Sequence, residues 1–142
     1  MHWTLRPRPN IWLAAGWVVI AAGIVAFVSP VPWIFVLAGF IAGACLGFLQ
    51  LKALRASPES FAASRTAMEV RRALVSSRWG RLYVRFFWVA SLALIGSAIA
   101  LQPGNALIAF FAAYAPFAFA RELMTLRGTY ELQRLLRTAN AG

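Results

Sequence analysis

Residues 31–50 have the sequence VPWIFVLAGFIAGACLGFLQ, in which no side chain is charged and no histidine occurs. Three further stretches, 11–28, 86–101 and 106–120, share this property. An α-helix of about 20 apolar residues crosses the hydrocarbon core of a bilayer. The sequence therefore predicts an all-α, polytopic membrane protein with four transmembrane helices.

The composition agrees with this prediction, since 61% of the 142 residues are hydrophobic and only 13% are charged. Soluble domains have about 25% charged residues. We expect a single membrane domain over 1–142, because the spans leave no room for a separate soluble domain. Within it we predict two tandem hairpins, over about 10–51 and 82–122. An amphipathic helix over about 58–80 separates the hairpins, and a last helix covers about 123–138.

The basic residues are confined to particular connections. Of the fourteen Lys and Arg, eight lie between Lys52 and Arg85, and the others precede the first predicted span or follow the last. None lies in the two short connections, Ser29-Pro30 and residues 102–105. Because basic loops stay on the cytoplasmic side, we expect a multi-pass protein of the cell inner membrane with both termini in the cytoplasm.

Three glycines of the second predicted span, Gly39, Gly43 and Gly47, recur at four-residue spacing. Small residues at this spacing let two helices approach closely in lipid. The pattern predicts a close helix contact on this face. The contact can lie within the bundle or join the chain to another subunit, and the sequence leaves both possibilities open.

The chain also shows an internal repeat. An offset of 71 to 72 residues aligns residues 51–59 with residues 123–131, and both segments follow the pattern Leu-x-x-Leu-Arg-small-hydroxyl-x-Glu. Duplication of one helix pair would produce such a repeat, and the alternative is a chance alignment of apolar helices of similar composition. The repeat predicts two helical hairpins of the same orientation, each ending in a basic segment.

The segment between the hairpins has the features of a helix at the membrane surface. Ser57 is a candidate N-cap, and Pro58 and Glu59 suit a first turn. Apolar residues then recur every seven residues on one helical face, and we expect a bend into the third span at Gly80. Arginines flank this face, which is typical of interfacial helices. The predicted interfacial stripe consists of Phe61, Met68, Val75, Trp79 and Leu82. The arginines expected to contact a partner or anionic lipid are Arg65, Arg71, Arg72, Arg78, Arg81 and Arg85.

Three partners are compatible with this basic segment: anionic lipid headgroups, an acidic subunit and nucleic acid. Arginine suits the first two, because its guanidinium pairs with phosphates and carboxylates. Nucleic acid is disfavoured, because the aromatic residues among these arginines fall on the predicted membrane-facing stripe and leave no separate stacking surface.

Reactive groups are sparse in this sequence. Cys45 is the single cysteine and His2 the single histidine, and the four glutamates are scattered. We therefore expect no catalytic residue, no metal site and no cofactor, and we expect that the protein is not an enzyme. The charge-free spans also disfavour ion-coupled transport. Glu122, next to Arg121, can pair with a basic residue across the bundle or be solvated at the interface.

The function predicted from these features is non-catalytic. We expect an accessory, assembly or scaffold subunit of a larger membrane complex, which docks through its glycine-bearing helix and its arginine-rich segment. Its expected partners are anionic lipid headgroups and other membrane subunits or further copies of itself. The alternative is a homo-oligomeric channel or lipid or solute carrier.

Overall fold

A computed structural model describes residues 2–5, 7–27 and 33–142. All regular secondary structure in these residues is helical. The all-α prediction is therefore confirmed. The predicted outer turn at Ser29-Pro30 lies outside the described residues. After a 3-10 turn at Trp3–Leu5, the helices are α1 (Pro7–Phe27), α2 (Trp33–Ala56), α3 (Pro58–Ala63), α4 (Ala67–Ser76), α5 (Arg78–Leu101) and α6 (Ala106–Ala141).

Three of these helices, α2, α5 and α6, are long and apolar enough to cross a membrane. With 24 residues each, α2 and α5 are roughly 36 Å long at 1.5 Å per residue. Large apolar side chains of α5 face outward, and Trp88 and Leu92 are 60% and 65% exposed. Lipid would cover such side chains, so the structure supports a membrane protein with three such helices. The fourth span, α1, stays a prediction.

Helix α6 is the central helix of the bundle and contacts α1, α2 and α5. Its buried surface is formed mainly by small side chains, including Ala109, Ala113 and Ala118. Alanine on several sides of one helix allows several neighbours to approach it. Pro116 is also buried within α6, where it has no N–H to donate along the helix.

The closest contact in the bundle joins α2 to α6 at backbone level. A Cβ atom added to Gly39 or Gly43 would overlap the carbonyl group of Ala113 or Phe117, and one at Gly47 would lie 2.5 Å from the Met124 Cβ. The glycines of α2 are therefore the positions at which α6 comes nearest. The close contact at these glycines therefore joins two helices of the same chain. Because α6 covers the glycine-bearing face of α2, this face is not open to another subunit.

The contacts between α2 and α6 follow the same order along both helices. Gly39 faces Ala113, Gly43 faces Phe117, and Leu54 reaches Gly128. The two helices consequently run in the same direction, while α1 packs mainly against α6; the arrangement as two tandem hairpins stays a prediction. Whether the repeat reflects a duplication stays a prediction.

The two copies of the repeat differ in how their last helix ends. Helix α2 ends at Ala56, before Ser57 and Pro58, whereas α6 continues through the equivalent Thr129 and Tyr130. Proline disfavours helical backbone in the residue that precedes it, and Tyr130 imposes no such restriction. The last helix, predicted over about 123–138, is therefore the unbroken continuation of α6.

The single helix predicted over about 58–80 is divided in the structure. Helices α3 and α4 are separated at residues 64–66, and α5 begins at Arg78. A capping box starts α4: the Thr66 hydroxyl accepts from the Glu69 N–H (3.3 Å), and the Glu69 carboxylate accepts from the Thr66 N–H (3.2 Å). This Thr-x-x-Glu pattern was present in the sequence, but the prediction overlooked it.

The bend into α5 lies at Ser77, and the prediction of a bend at Gly80 is corrected. The Ser77 hydroxyl accepts from the Gly80 N–H at 3.0 Å and caps α5. Gly80 itself is needed for close approach, because a Cβ there would overlap the carbonyl group of Leu74 in α4.

Two groups of buried apolar side chains hold the helices together. The first joins α2, α5 and α6 through residues that include Phe35, Leu94 and Phe117. The second, which we call the basic-end core, consists of Leu5, Leu54, Phe61, Ala73 and Leu132. It brings the N-terminal turn, α3, α4 and the ends of α2 and α6 to one end of the molecule, the basic end.

We expect substitution of Gly43 by alanine to destabilise the protein by about 1–3 kcal/mol, the usual cost of overpacking, because the added methyl group forces α2 and α6 apart. Gly96→Ala is the matched control, since a Cβ at Gly96 has no neighbour within 4 Å. Thermal unfolding in detergent should show a lower midpoint for Gly43→Ala alone. Equal midpoints for both variants would contradict the close contact.

We expect Thr66→Ala to weaken the start of α4 by about 1 kcal/mol, the typical value of an N-cap. Hydrogen exchange of the first-turn amides should become faster, whereas Thr138→Ala should leave them unchanged, since the Thr138 hydroxyl only donates to carbonyl groups of its own helix.

The same cap should depend on pH. The backbone N–H groups of Arg65 and Thr66 hold the pKa of the Glu69 carboxyl below its ordinary value. A lowered folded-state pKa gives stability that is present above the unfolded-state pKa and is lost as the pH falls through the folded-state pKa. The protection factors of the α4 amides, which correct for the pH dependence of intrinsic exchange, should therefore fall at acidic pH, and protection factors that do not change with pH would exclude this contribution of Glu69.

Candidate functional site

An exposed face of α4 and the first turns of α5 combine arginines with apolar side chains. Ala73 of α4 is buried in the basic-end core, and Val70 and Leu74 pack against that core. The opposite side of α4 is exposed, with Met68 at 64%. We call this face the arginine surface; it consists of Arg65, Arg71, Arg72, Arg78 and Arg85 with Met68, Val75, Trp79 and Leu82, all exposed.

Phe61, the first member of the predicted stripe, does not belong to this surface. It is 2% exposed and packs in the basic-end core. The seven-residue periodicity that linked it to Met68 assumed a continuous helix, and the break at residues 64–66 rotates α3 out of that pattern. The other four stripe residues are exposed in the structure, and their contact with the membrane stays a prediction.

The arginines of this surface are not neutralised by ion pairs. In the part of the chain that the structure describes, the ion pairs are Arg55–Glu131, Arg121–Glu122 and Arg127–Glu131. Glu69 is the carboxylate nearest to the arginine surface, and the capping box of α4 uses it. The surface therefore carries a clear excess of positive charge.

Arg81, which the sequence grouped with these arginines, has a structural contact. Its Nη1 donates to the carbonyl oxygens of Val75 and Ser76 at 3.2 and 3.4 Å. Arginine beside the last carbonyl groups of a helix satisfies them and suits the helix dipole. Arg81 thus stabilises the end of α4.

Lys52 of α2 joins the arginine surface to the bundle. Its Nζ lies 5.3 Å from the ring centre of Phe48 and 5.8 Å from that of Trp79. Cation–π contacts of this length are attractive. They tie the end of α2 to the first turn of α5 and place another positive charge beside the surface.

A buried polar cluster lies nearby, where α2, α5 and α6 meet. Glu122 is 6% exposed and accepts from the Arg121 Nη2 at 3.0 Å. Its second carboxylate oxygen has no hydrogen-bond partner among the described residues. Tyr83 of α5 lies beside Arg121. The structure thus buries Glu122 and pairs it with the adjacent Arg121. The sequence had instead predicted either a pair across the bundle or a solvated charge.

The same cluster contains a contact between α2 and α6. The Thr125 hydroxyl lies 3.0 Å from the Gln50 Oε1 and 2.9 Å from the Arg121 carbonyl oxygen. Neither Gln50 nor Thr125 was among the residues predicted from the sequence. The internal repeat nevertheless indicates this cluster, because it aligns Gln50 with Glu122. Two polar residues at equivalent positions of the two helices indicate a shared buried environment.

Other predicted features stay apart from this site. Cys45 is exposed on α2. Trp17 of α1 contacts Tyr114 of α6 edge to face, with ring centres 5.4 Å apart. Among the described residues, no group of three or more His, Cys, Asp or Glu side chains is arranged to hold a metal ion.

Comparison with protein-family models, with curated proteins and with solved structures finds no match to this chain. Functional inference therefore depends on the residues of the chain itself. The arginine surface offers cationic groups without carboxylate partners, and the buried cluster offers one carboxylate oxygen without a hydrogen-bond partner. The first of these features can bind an anionic surface, whereas the second is enclosed by the bundle.

We expect Arg121→Gln to destabilise the protein by about 2–3 kcal/mol, because it leaves the Glu122 carboxylate buried without its cationic partner. The double variant Arg121→Gln/Glu122→Gln should recover part of this loss. Arg127→Gln is the control, since its pair with Glu131 is exposed and should contribute less than about 1 kcal/mol.

Equilibrium unfolding in mixed detergent micelles measures these differences. If the double variant is as unstable as Arg121→Gln, the unpaired Glu122 carboxylate is not the reason for the lost stability.

Proposed function

We propose that this chain is a non-catalytic accessory, assembly or scaffold subunit of a larger membrane complex. The single observation that carries the proposal is the arginine surface, in which five exposed arginines form no salt bridge with a carboxylate in the described part of the chain. Arginine is well suited to binding carboxylates and phosphates. Docking on an anionic surface is the interaction for which this face has the chemistry.

We further propose four spans, with α1 as the first, and a location in the cell inner membrane. The N-terminal turn, α3, α4 and the end of α6 contribute to one basic-end core. These segments also contain or adjoin most of the basic residues. By the positive-inside rule, the basic end would face the cytoplasm together with both termini.

The scaffold role is supported by the continuity of α6. At 36 residues, this helix is roughly 54 Å long, which exceeds the bilayer core of about 30 Å. One helix would thus connect the membrane bundle to the basic-end core. Because α6 covers the glycine face of α2, we assign docking to the arginine surface and no longer to the glycine-bearing helix.

A homo-oligomeric channel or lipid or solute carrier is the second candidate. The observation that favours it is the exposed face of α5 around Gly96 and Ser97, where a Cβ at Gly96 would have no neighbour within 4 Å. Small residues on an open helix face permit close packing with another helix in lipid. A further copy of the chain could pack there.

Purification of the tagged protein from its native membrane in a mild detergent separates these candidates. We expect a stoichiometric complex that contains at least one different membrane subunit, identified by mass spectrometry of its components and of the intact assembly. A parallel purification from cells without the tag is the control. A homo-oligomer that carries only lipid, and that passes solute in liposomes, would contradict the accessory role.

A further inference from the structure

The arginine surface combines cationic and apolar side chains, so a partner that covers it must offer both anionic and apolar groups. Met68 is 64% exposed and Trp79 is 39% exposed, and both lie among arginines. An acidic protein surface offers carboxylates to the guanidinium groups. A bilayer interface offers phosphates to the guanidinium groups and also acyl chains to the apolar side chains.

The length of α5 places part of this surface at headgroup depth. Its charge-free stretch, 86–101, has 16 residues and is about 24 Å long, which is less than the hydrocarbon thickness of about 30 Å. If α5 crosses the membrane as far as Leu101, a hydrocarbon region of about 30 Å extends back about 20 residues, to Leu82 in the second turn, and the Arg85 side chain extends toward the headgroups. Arg78 and Arg85 then lie near the phosphates, with Leu82 and Trp79 beside them.

The charge of the surface also requires an anion. Glu69 is the acidic residue closest to it and serves the cap of α4, while Lys52 adds a further positive charge beside Trp79. Basic side chains next to a span are attracted to the negative leaflet. Helix α4 directly precedes α5 and is joined to it by Ser77, so its arginines are held within reach of the same leaflet.

We propose that the arginine surface binds the phosphodiester headgroups of anionic phospholipids, with Met68, Val75, Trp79 and Leu82 in contact with the outer part of the acyl chains. This inference rests on the proposed function, because it takes α5 to be a transmembrane helix. It identifies the anionic surface as lipid. The accessory role and the lipid binding can fail separately. A partner subunit can co-purify with a protein that shows no lipid preference, and a protein without a partner subunit can still prefer anionic lipid.

Lipid retention by the full-length protein tests this inference. The protein is equilibrated in non-ionic detergent with equal amounts of phosphatidylglycerol and phosphatidylcholine, and mass spectrometry quantifies the lipids that co-elute. We expect wild-type protein to retain several times more phosphatidylglycerol. Arg71→Gln/Arg78→Gln should abolish the preference, whereas Arg134→Gln/Arg137→Gln, which removes the same charge from the exposed end of α6, should keep it.

A folding control and a competition experiment accompany this measurement. Circular dichroism and gel filtration should show that both double variants fold as the wild type does. Inorganic phosphate should displace phosphatidylglycerol no better than chloride at equal ionic strength. Equal loss of preference in both double variants, no preference in the wild type, or displacement specific to phosphate would each overturn the proposal.

Spin labels locate the surface in the bilayer. In a Cys45→Ala background, a label at Met68→Cys in nanodiscs should be accessible to oxygen and shielded from an aqueous nickel chelate. The control label at Leu135→Cys, an exposed residue of α6, should show the reverse. Full aqueous access at position 68, or its protection by a bound acidic protein in place of lipid, would overturn the assignment.

Discussion

The backbone-level contact between α2 and α6 is the constraint on which the rest of the structure depends. Carbonyl groups of α6 occupy the space in which Gly39 and Gly43 would otherwise carry side chains. In lipid, helix association depends on such packing because the solvent gives no hydrophobic driving force between helices. Once this pair is aligned in parallel, its register brings Gln50 to Thr125 and Arg55 to Glu131.

The same pair connects the apolar bundle to its basic end. Leu54 lies over Gly128, and both helices then contribute to the basic-end core with Leu54 and Leu132. The core holds α4 with its apolar side inward, so its arginines remain outside. The arginine surface is thus a consequence of how α2 and α6 continue beyond the bundle, and it would be lost if α6 ended where α2 ends.

The sequence was sufficient for the helical class and for three long apolar helices, because both follow from local composition. It was insufficient for the segment after Ser57. There a seven-residue periodicity suggested one helix, although the Thr66–Glu69 capping box marks a new start. The burial of Glu122 was also missed. Its environment depends on α5, which is remote in sequence, and a charge at the end of an apolar stretch gives no local indication of being enclosed.

Disulfide formation between α2 and α6 in native membranes tests the central contact most directly. In a Cys45→Ala background, Leu54→Cys/Gly128→Cys should form an intramolecular disulfide on mild oxidation, because the Leu54 Cδ1 lies 2.7 Å from a Cβ placed on Gly128. Gln50→Cys/Gly128→Cys, one turn out of register, should form it poorly. Two thiols that both react with maleimide but do not cross-link, or a disulfide in the shifted pair alone, would contradict this packing.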